Sequence, residues 1–239
     1  VTGTSATPAA GRFAIAAVPF VEGPATLTAT GTDAAGNTGT AAATYLVDTE
    51  APLVEILAPA EAAILGAAPV FVTGTATDAN LLDVTVNGQP ASLGSDGTFR
   101  AGPFGPADGP VTFTATATDR ASRSSSATRN VIVDTVPPEI SIRNAGTSAP
   151  IPADSLFNAP ITVAASVTDL TTPTQTTHTT TLDGSAYAGG PVTGEGSHRV
   201  EVVATDGAGN TSTASVTFAL DTTKPVFSAV LPAEGTIGR

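Results

Sequence analysis

Cysteine is absent from all 239 residues, so disulfides and thiolate metal sites are excluded. Lysine occurs once, at Lys224, and arginine eight times, against 21 acidic side chains, for a formal net charge of -12. A nucleic acid or an anionic lipid surface would be repelled, so neither is expected as a partner. No apolar run reaches the roughly 18 residues that a spanning helix needs, so no membrane insertion is expected of this segment. Tryptophan is missing, and Tyr45 and Tyr187 are the only tyrosines. Methionine is missing too and no secretion signal is evident, so the chain reads as an internal piece of something longer. Helical periodicity is found nowhere.

What fills the chain instead is Thr, Ala, Gly and Ser, with 24 Gly and 19 Pro, and its 41% hydrophobic content is too high for simple disorder. The pattern repeats. Thr32-Asp33, Thr118-Asp119 and Thr205-Asp206 lie 86 and 87 residues apart, and Asp48-Thr49, Asp134-Thr135 and Asp221-Thr222 keep the same intervals. A fixed period of this length means one structural unit used several times. Gly11, Phe13, Gly23, Pro24, Asp33 and Asp48 match Gly97, Phe99, Gly109, Pro110, Asp119 and Asp134 without a gap, and Leu231–Ile237 matches Ala58–Ile64. The expected units are therefore 1–49, the C-terminal part of a first; 50–136 and 137–223, both complete; and 224–239, the start of another.

Each unit is expected to be antiparallel β. Val111, Phe113, Ala115 and Ala117 alternate with threonines; Ala25, Leu27, Ala29 and Gly31 do the same, and Val200, Val202 and Ala204 keep the period. The following strand is expected to turn Tyr45 and Val47, Val131 and Val133, or Phe218 and Leu220 inward. Between these two strands, Asp33-Ala-Ala-Gly-Asn37 and Asp206-Gly-Ala-Gly-Asn210 supply the residues that positive-φ turn positions favour. Further strands of the second unit are expected at Leu53–Leu57, Val70–Thr77, Leu82–Val86 and Thr98–Phe104, with Asn87-Gly88 as a hairpin turn. Six or seven short strands in about 86 residues suggest a two-sheet sandwich of the immunoglobulin type. The fold class expected is all-β, in tandem immunoglobulin-like domains.

Val84-Thr-Val-Asn-Gly88, Asp96-Gly-Thr-Phe99, the Ala-Thr-Asp-x-Ala-Gly-Asn pattern around Asp206, and Asp-Thr-x-x-Pro at Asp48, Asp134 and Asp221 resemble bacterial immunoglobulin-like repeats. The resemblance covers essentially the whole chain. It implies an extracellular, bacterial cell-surface segment of an adhesin-like protein, working as an extended stalk or binding array. The second unit departs from the pattern at Asp119-Arg-Ala-Ser-Arg123, where Gly-Asn is missing, which leaves open whether the turn survives there. The lysine–asparagine cross-link of some adhesin modules needs a buried lysine in each domain, which a single Lys224 in a linker does not provide.

Catalytic chemistry is not evident. His178 and His198 belong to no recognisable motif; His198 reads as a solvated edge residue and His178 as surface. Gly94-Ser-Asp-Gly97 lacks the Gly-x-Ser-x-Gly of a nucleophile elbow and reads as a turn. Asn210-Thr-Ser212 fits a glycosylation sequon, a pattern short enough to arise by chance. The outward threonine rows would suit an ice or glycan surface, but β propensity alone accounts for them.

One constellation invites chemistry. In the immunoglobulin topology, Asp78 and Asp119 would share a pole with Asp48 and Glu50 of the incoming linker, and Asp169, Asp206 and Asn210 would share one with Asp134 and Glu139 of the next linker. Converging oxygens of this kind suit Ca²⁺, which takes six to eight oxygen ligands in a tolerant geometry. The plainer reading, which loop chemistry alone favours, is that these aspartates make Asx turns and end strands. No other cofactor is implied. The function expected is a non-catalytic stalk that reaches other surface proteins or host glycans through its parent. A self-assembling filament or layer subunit is the first alternative. A carbohydrate-binding accessory module of a secreted enzyme is the second, and it would need exposed aromatics on one face.

Overall fold

The computed structural model describes residues 21–172 and 174–227, and every regular element among them is a β-strand. The matches drawn at Gly11 and Phe13, and at Leu231–Ile237, lie outside the described residues. Gly23–Thr32 pairs with Thr38–Val47 in unbroken antiparallel register, as a sheet of two strands. Ala25, Leu27 and Ala29 are half-buried while the threonines between them are exposed, which is the expected period of two.

In the middle of the chain, Leu53–Ala58, Val70–Thr77, Thr98–Phe104 and Ser92–Leu93 form one sheet in that order. A second sheet runs Ile64–Leu65, Ser124–Val133, Gly109–Asp119, Leu81–Val86, Gln89–Pro90. Ile56, Val72, Ala76, Phe99 and Ala101 of the first sheet are buried, as are Val84, Val86, Phe113, Ala115 and Ala117 of the second. Phe104 and Phe113 join the two, their ring centroids 5.3 Å apart. Gly74 has a steric role. A Cβ there would lie 2.0 Å from the Glu55 carbonyl oxygen and 2.6 Å from the Phe99 ring, so the strand approaches its neighbours only without a side chain.

The later sandwich repeats the plan. Glu139–Asn144, Ile161–Thr168 and Pro191–Val192 form one sheet; Ser155–Phe157, Thr211–Leu220, Gly196–Thr205, Thr177–Leu182 and Ser185–Ala186 form the other. Its core holds Ile151, Ile161, Val163, Val192, Val200, Val202, Val216 and Phe218. Phe157 meets Phe218 edge-on at 5.8 Å. The chain is thus all-β, its sheets packed as immunoglobulin-like sandwiches. It gathers into two compact units, one joining the described part of Val1–Glu61 with Pro69–Phe104 and Thr112–Asn130, the other Ala62–Ala68 and Gly105–Val111 with the described part of Val131–Arg239.

Several expectations need correction. Tyr45, placed inward from the sequence, is 51% exposed, because its two-stranded sheet has no opposing sheet among the described residues. His198 is not a solvated edge residue: its strand lies inside a five-stranded sheet, and its side chain is only 11% exposed. The Asp119–Arg123 turn survives without Gly-Asn. Asp119 N donates to the Arg123 carbonyl at 3.0 Å, and Ser122 adopts the positive φ (66°) that Gly36 and Gly209 take elsewhere. The short strands Ile64–Leu65 and Ser155–Phe157, each parallel to the last long strand of its sandwich, had no periodicity to betray them.

Candidate junction sites

Each candidate aspartate closes or follows a strand. Asp48 follows Thr38–Val47, Asp78 follows Val70–Thr77 and Asp119 ends Gly109–Asp119; Asp134, Asp169 and Asp206 stand at the matching positions one repeat later. Strand ends that meet at one pole therefore deliver three carboxylates to one place. Within each trio, one oxygen from every side chain lies within 4.8 Å of the others. In the first trio Asp119 is fully buried while Asp48 and Asp78 are half-buried; in the second, Asp134, Asp169 and Asp206 are all buried. Glu50 is exposed and stands outside the first trio, and Asn210 stands against the second as a hydrogen-bond donor.

The surrounding hydrogen bonds show how the sequence builds these sites. Asp206 Oδ1 accepts from Ala208 N and Asn210 N, both at 2.9 Å, and Asn210 Nδ2 donates to Asp206 Oδ2. Asp33 and Asn37 make the same arrangement. This is the Asx-turn chemistry expected from the sequence, so the turn reading holds for those bonds. The linker is tied as well. Asn210 Nδ2 donates to the Asp134 carbonyl at 2.8 Å, and Thr172 Oγ1 to the Asp134 carboxylate at 2.9 Å. At the earlier linker the same two acceptors of Asp48 are met by Arg123 Nε, at 3.1 Å, and Asn80 Nδ2, at 2.9 Å. Ser212 Oγ donates to the Pro138 carbonyl and Ser125 Oγ to that of Pro52.

A further clamp was missed in the sequence. Thr135 donates its N–H and hydroxyl to Asp108, both at 3.0 Å. Thr49 does the same to Glu22 and Thr222 to Glu195, each across 27 residues. The repeated threonine after each linker aspartate is explained by this carboxylate. The signal was legible, since the acidic position recurs with the same period, but its side chain alternates between Asp and Glu. Gly66 adds close packing at the later linker, where a Cβ would fall 2.5 Å from the Ala208 carbonyl oxygen.

Two like unit charges about 5 Å apart repel by roughly 3 kcal/mol at the effective dielectric of a protein. Three carboxylates at that spacing are therefore strained without a counter-charge. In the first trio, buried Asp119 Oδ2 also has no hydrogen-bond donor. An all-oxygen donor set with a free buried lone pair fits a hard divalent cation such as Ca²⁺, which Asp48, Asp78 and Asp119, or Asp134, Asp169 and Asp206, would hold.

His198 forms a separate clamp. Nδ1 contacts Asp183 Oδ2 and Nε2 contacts the Gly194 carbonyl, both at 2.8 Å. The Gly194 carbonyl, then Asp183, holds the imidazole pKa above its usual value, and the imidazole holds that of Asp183 below its own. A raised histidine pKa stabilises the fold fully below about pH 6.5 and is lost as pH rises through the folded value; the lowered Asp183 pKa is lost only as pH falls well into the acid range. Raising the pH from 5.5 to 8 is thus expected to lower the melting temperature of the later sandwich by about a degree or two. That dependence should disappear in His198→Gln, which differential scanning calorimetry at both pH values would read.

Residues 52–135 match the family model described as glucodextranase, domain B. No curated protein sequence matches the chain. Among solved structures, the fibronectin(III)-like modules of Clostridium thermocellum CbhA are 16% identical, with 70% of this chain and 94% of that one aligned and a TM-score of 0.34. A tetra-tandem repeat from the extending region of a large adhesion protein is 21% identical over 84% of this chain and 57% of that one, with a TM-score of 0.36. The N-terminal eight immunoglobulin domains of Down syndrome cell adhesion molecule are 14% identical over 82% and 35%, with a TM-score of 0.45.

Proposed function

We propose that this chain is a non-catalytic stalk segment of a bacterial extracellular surface protein, built from immunoglobulin-like units at 1–49, 50–136, 137–223 and 224–239. Its work is mechanical. A strand of ten residues spans about 33 Å, so each added unit carries a terminal binding element further from the cell, toward surface proteins or glycans. The observation that carries this reading is the double fastening of the linker: Asp134 is gripped by Asn210 and Thr172, and its neighbour Thr135 by Asp108. A spacer needs joints that resist bending, and short Pro-bearing linkers already limit it. Ca²⁺ at the two trios would stiffen the joints further. The acidic surface would keep neighbouring stalks apart.

Small-angle scattering of the whole chain tests this. A maximum dimension well beyond that of a compact 23.4 kDa particle, and independent of concentration, is expected. A compact particle would overturn the reading, and growth with concentration would favour the filament subunit instead. The match of residues 52–135 to a domain named for a glucan-acting enzyme supports a second reading, an accessory module. Against it, the depression on the four-stranded sheet is floored by Leu57, Gly74 and Leu93 around a buried Phe99, with no exposed ring for a sugar to stack on.

A further inference from the structure

We infer that Arg123 sets a lower cation affinity at the first trio than at the second, so that the two linkers stiffen at different Ca²⁺ concentrations. The inference rests on reading both trios as Ca²⁺ sites. The unit pattern ends its turn with asparagine: Asn37 Nδ2 donates to Asp33 Oδ2 at 2.8 Å, and Asn210 Nδ2 to Asp206 Oδ2 at 2.9 Å. In the middle unit Arg123 stands at that position. Its Nε keeps the contact to the linker carbonyl, at Asp48, but its side chain gives nothing to the turn aspartate.

Two consequences follow from this exchange. Asp119, a fully buried member of the trio, is left with Oδ2 facing no donor, an unpartnered oxygen that points to a ligand there. The exchange also stations a permanent positive charge against Asp48, because a guanidinium does not deprotonate in proteins. A divalent ion entering the first trio meets that charge. At the second trio, among the described residues, no hydrogen bond or ion pair comes from lysine or arginine: the donors are backbone N–H groups, Thr172 and Asn210. All three of its carboxylates are buried, which screens them less from an ion and from one another. Charge and burial therefore order the sites in the same direction. Ca²⁺ fills the second linker first, and Arg123 delays the first.

Calorimetric titration of the whole 239-residue chain with CaCl₂ at fixed ionic strength tests this order. Two classes of site are expected, the tighter lost in Asp169→Asn and the weaker lost in Asp119→Asn. Each of these replaces an oxygen that accepts no hydrogen bond in the structure, so the turn contacts through the other oxygen are kept. Arg123→Asn, which restores the residue of the other units, is expected to tighten the weaker class by on the order of tenfold. Arg123→Gln, which keeps most of the stem and removes only the charge, should move it in the same direction and serves if the first variant folds poorly. A tighter class lost in Asp119→Asn, or a weaker class unmoved by either arginine variant, overturns the inference and leaves the Ca²⁺ reading standing. No binding at millimolar Ca²⁺, or binding that survives both aspartate variants, sinks the Ca²⁺ reading itself.

Discussion

Phe113→Ala is expected to unfold the middle sandwich near physiological temperature and to leave the later one folded. Phe113 is 1% exposed and its ring meets Phe104 across the two sheets, so truncation removes the largest apolar group at the centre and leaves a cavity that flanking strands do not fill. Losses of this type cost about 3–5 kcal/mol, against a total of roughly 5–10 kcal/mol for a domain of this size. The aligned positions in the neighbouring units are Leu27 and Val200, so no other unit places a phenylalanine there. Calorimetry should resolve two transitions in the wild type, the earlier falling by at least 10 °C in Phe113→Ala. Phe218→Ala is the mirror experiment, since Phe218 is 1% exposed in the later core against Phe157. If each variant lowers both transitions together, the units are not independent and the proposed boundaries at 49, 136 and 223 are wrong.

The parts of this fold that could be read from the residues are those that repeat with a short period. Val70–Thr77 and Thr98–Phe104 have the bounds expected of them, because their apolar residues alternate and turn residues stop them. Two-residue strands such as Ile64–Leu65 carry no period and are set by the parallel partner they find, which lies far away in sequence. Tyr45 illustrates a different limit: alternation tells which face a side chain takes, but whether that face is covered depends on another sheet. His198 shows the same from the other side, its exposure set by the turn carboxylate of Asp183 and the Phe218 ring, whose centroid lies 5.6 Å away. For the junctions, the topology brought six named aspartates into two trios, whereas the charge balance of each trio depended on a residue that departs from the pattern. Arg123 was visible as a departure; its destination at the Asp48 carbonyl was not.

Ca²⁺ is expected to raise the transition of the later sandwich by about 10 °C, and the same substitution should have opposite effects with and without the ion. Extracellular modules bind Ca²⁺ with Kd of about 0.1–1 mM, so 10 mM Ca²⁺ stands at roughly 10–100 times Kd. Binding to the folded state alone then contributes about 1.5–3 kcal/mol, and each kcal/mol moves the transition of a domain this size by about 4–8 °C. Asp169→Asn isolates the cause. The Oδ1 of Asp169 accepts from Thr171 N and Thr172 N at 2.9 and 2.6 Å, an arrangement that an asparagine oxygen reproduces. In EGTA the variant loses one of three mutually repelling buried charges and keeps its turn, so its transition should lie at or above that of the wild type. In 10 mM Ca²⁺ it lacks a ligand, and its transition should lie well below. A crossing of the two orders is the signature of a carboxylate trio whose repulsion the cation relieves. An unchanged wild-type transition between EGTA and Ca²⁺ would reduce Asp134, Asp169 and Asp206 to turn-forming residues, and the linker would then depend on Asn210, Thr172 and the Asp108–Thr135 clamp alone.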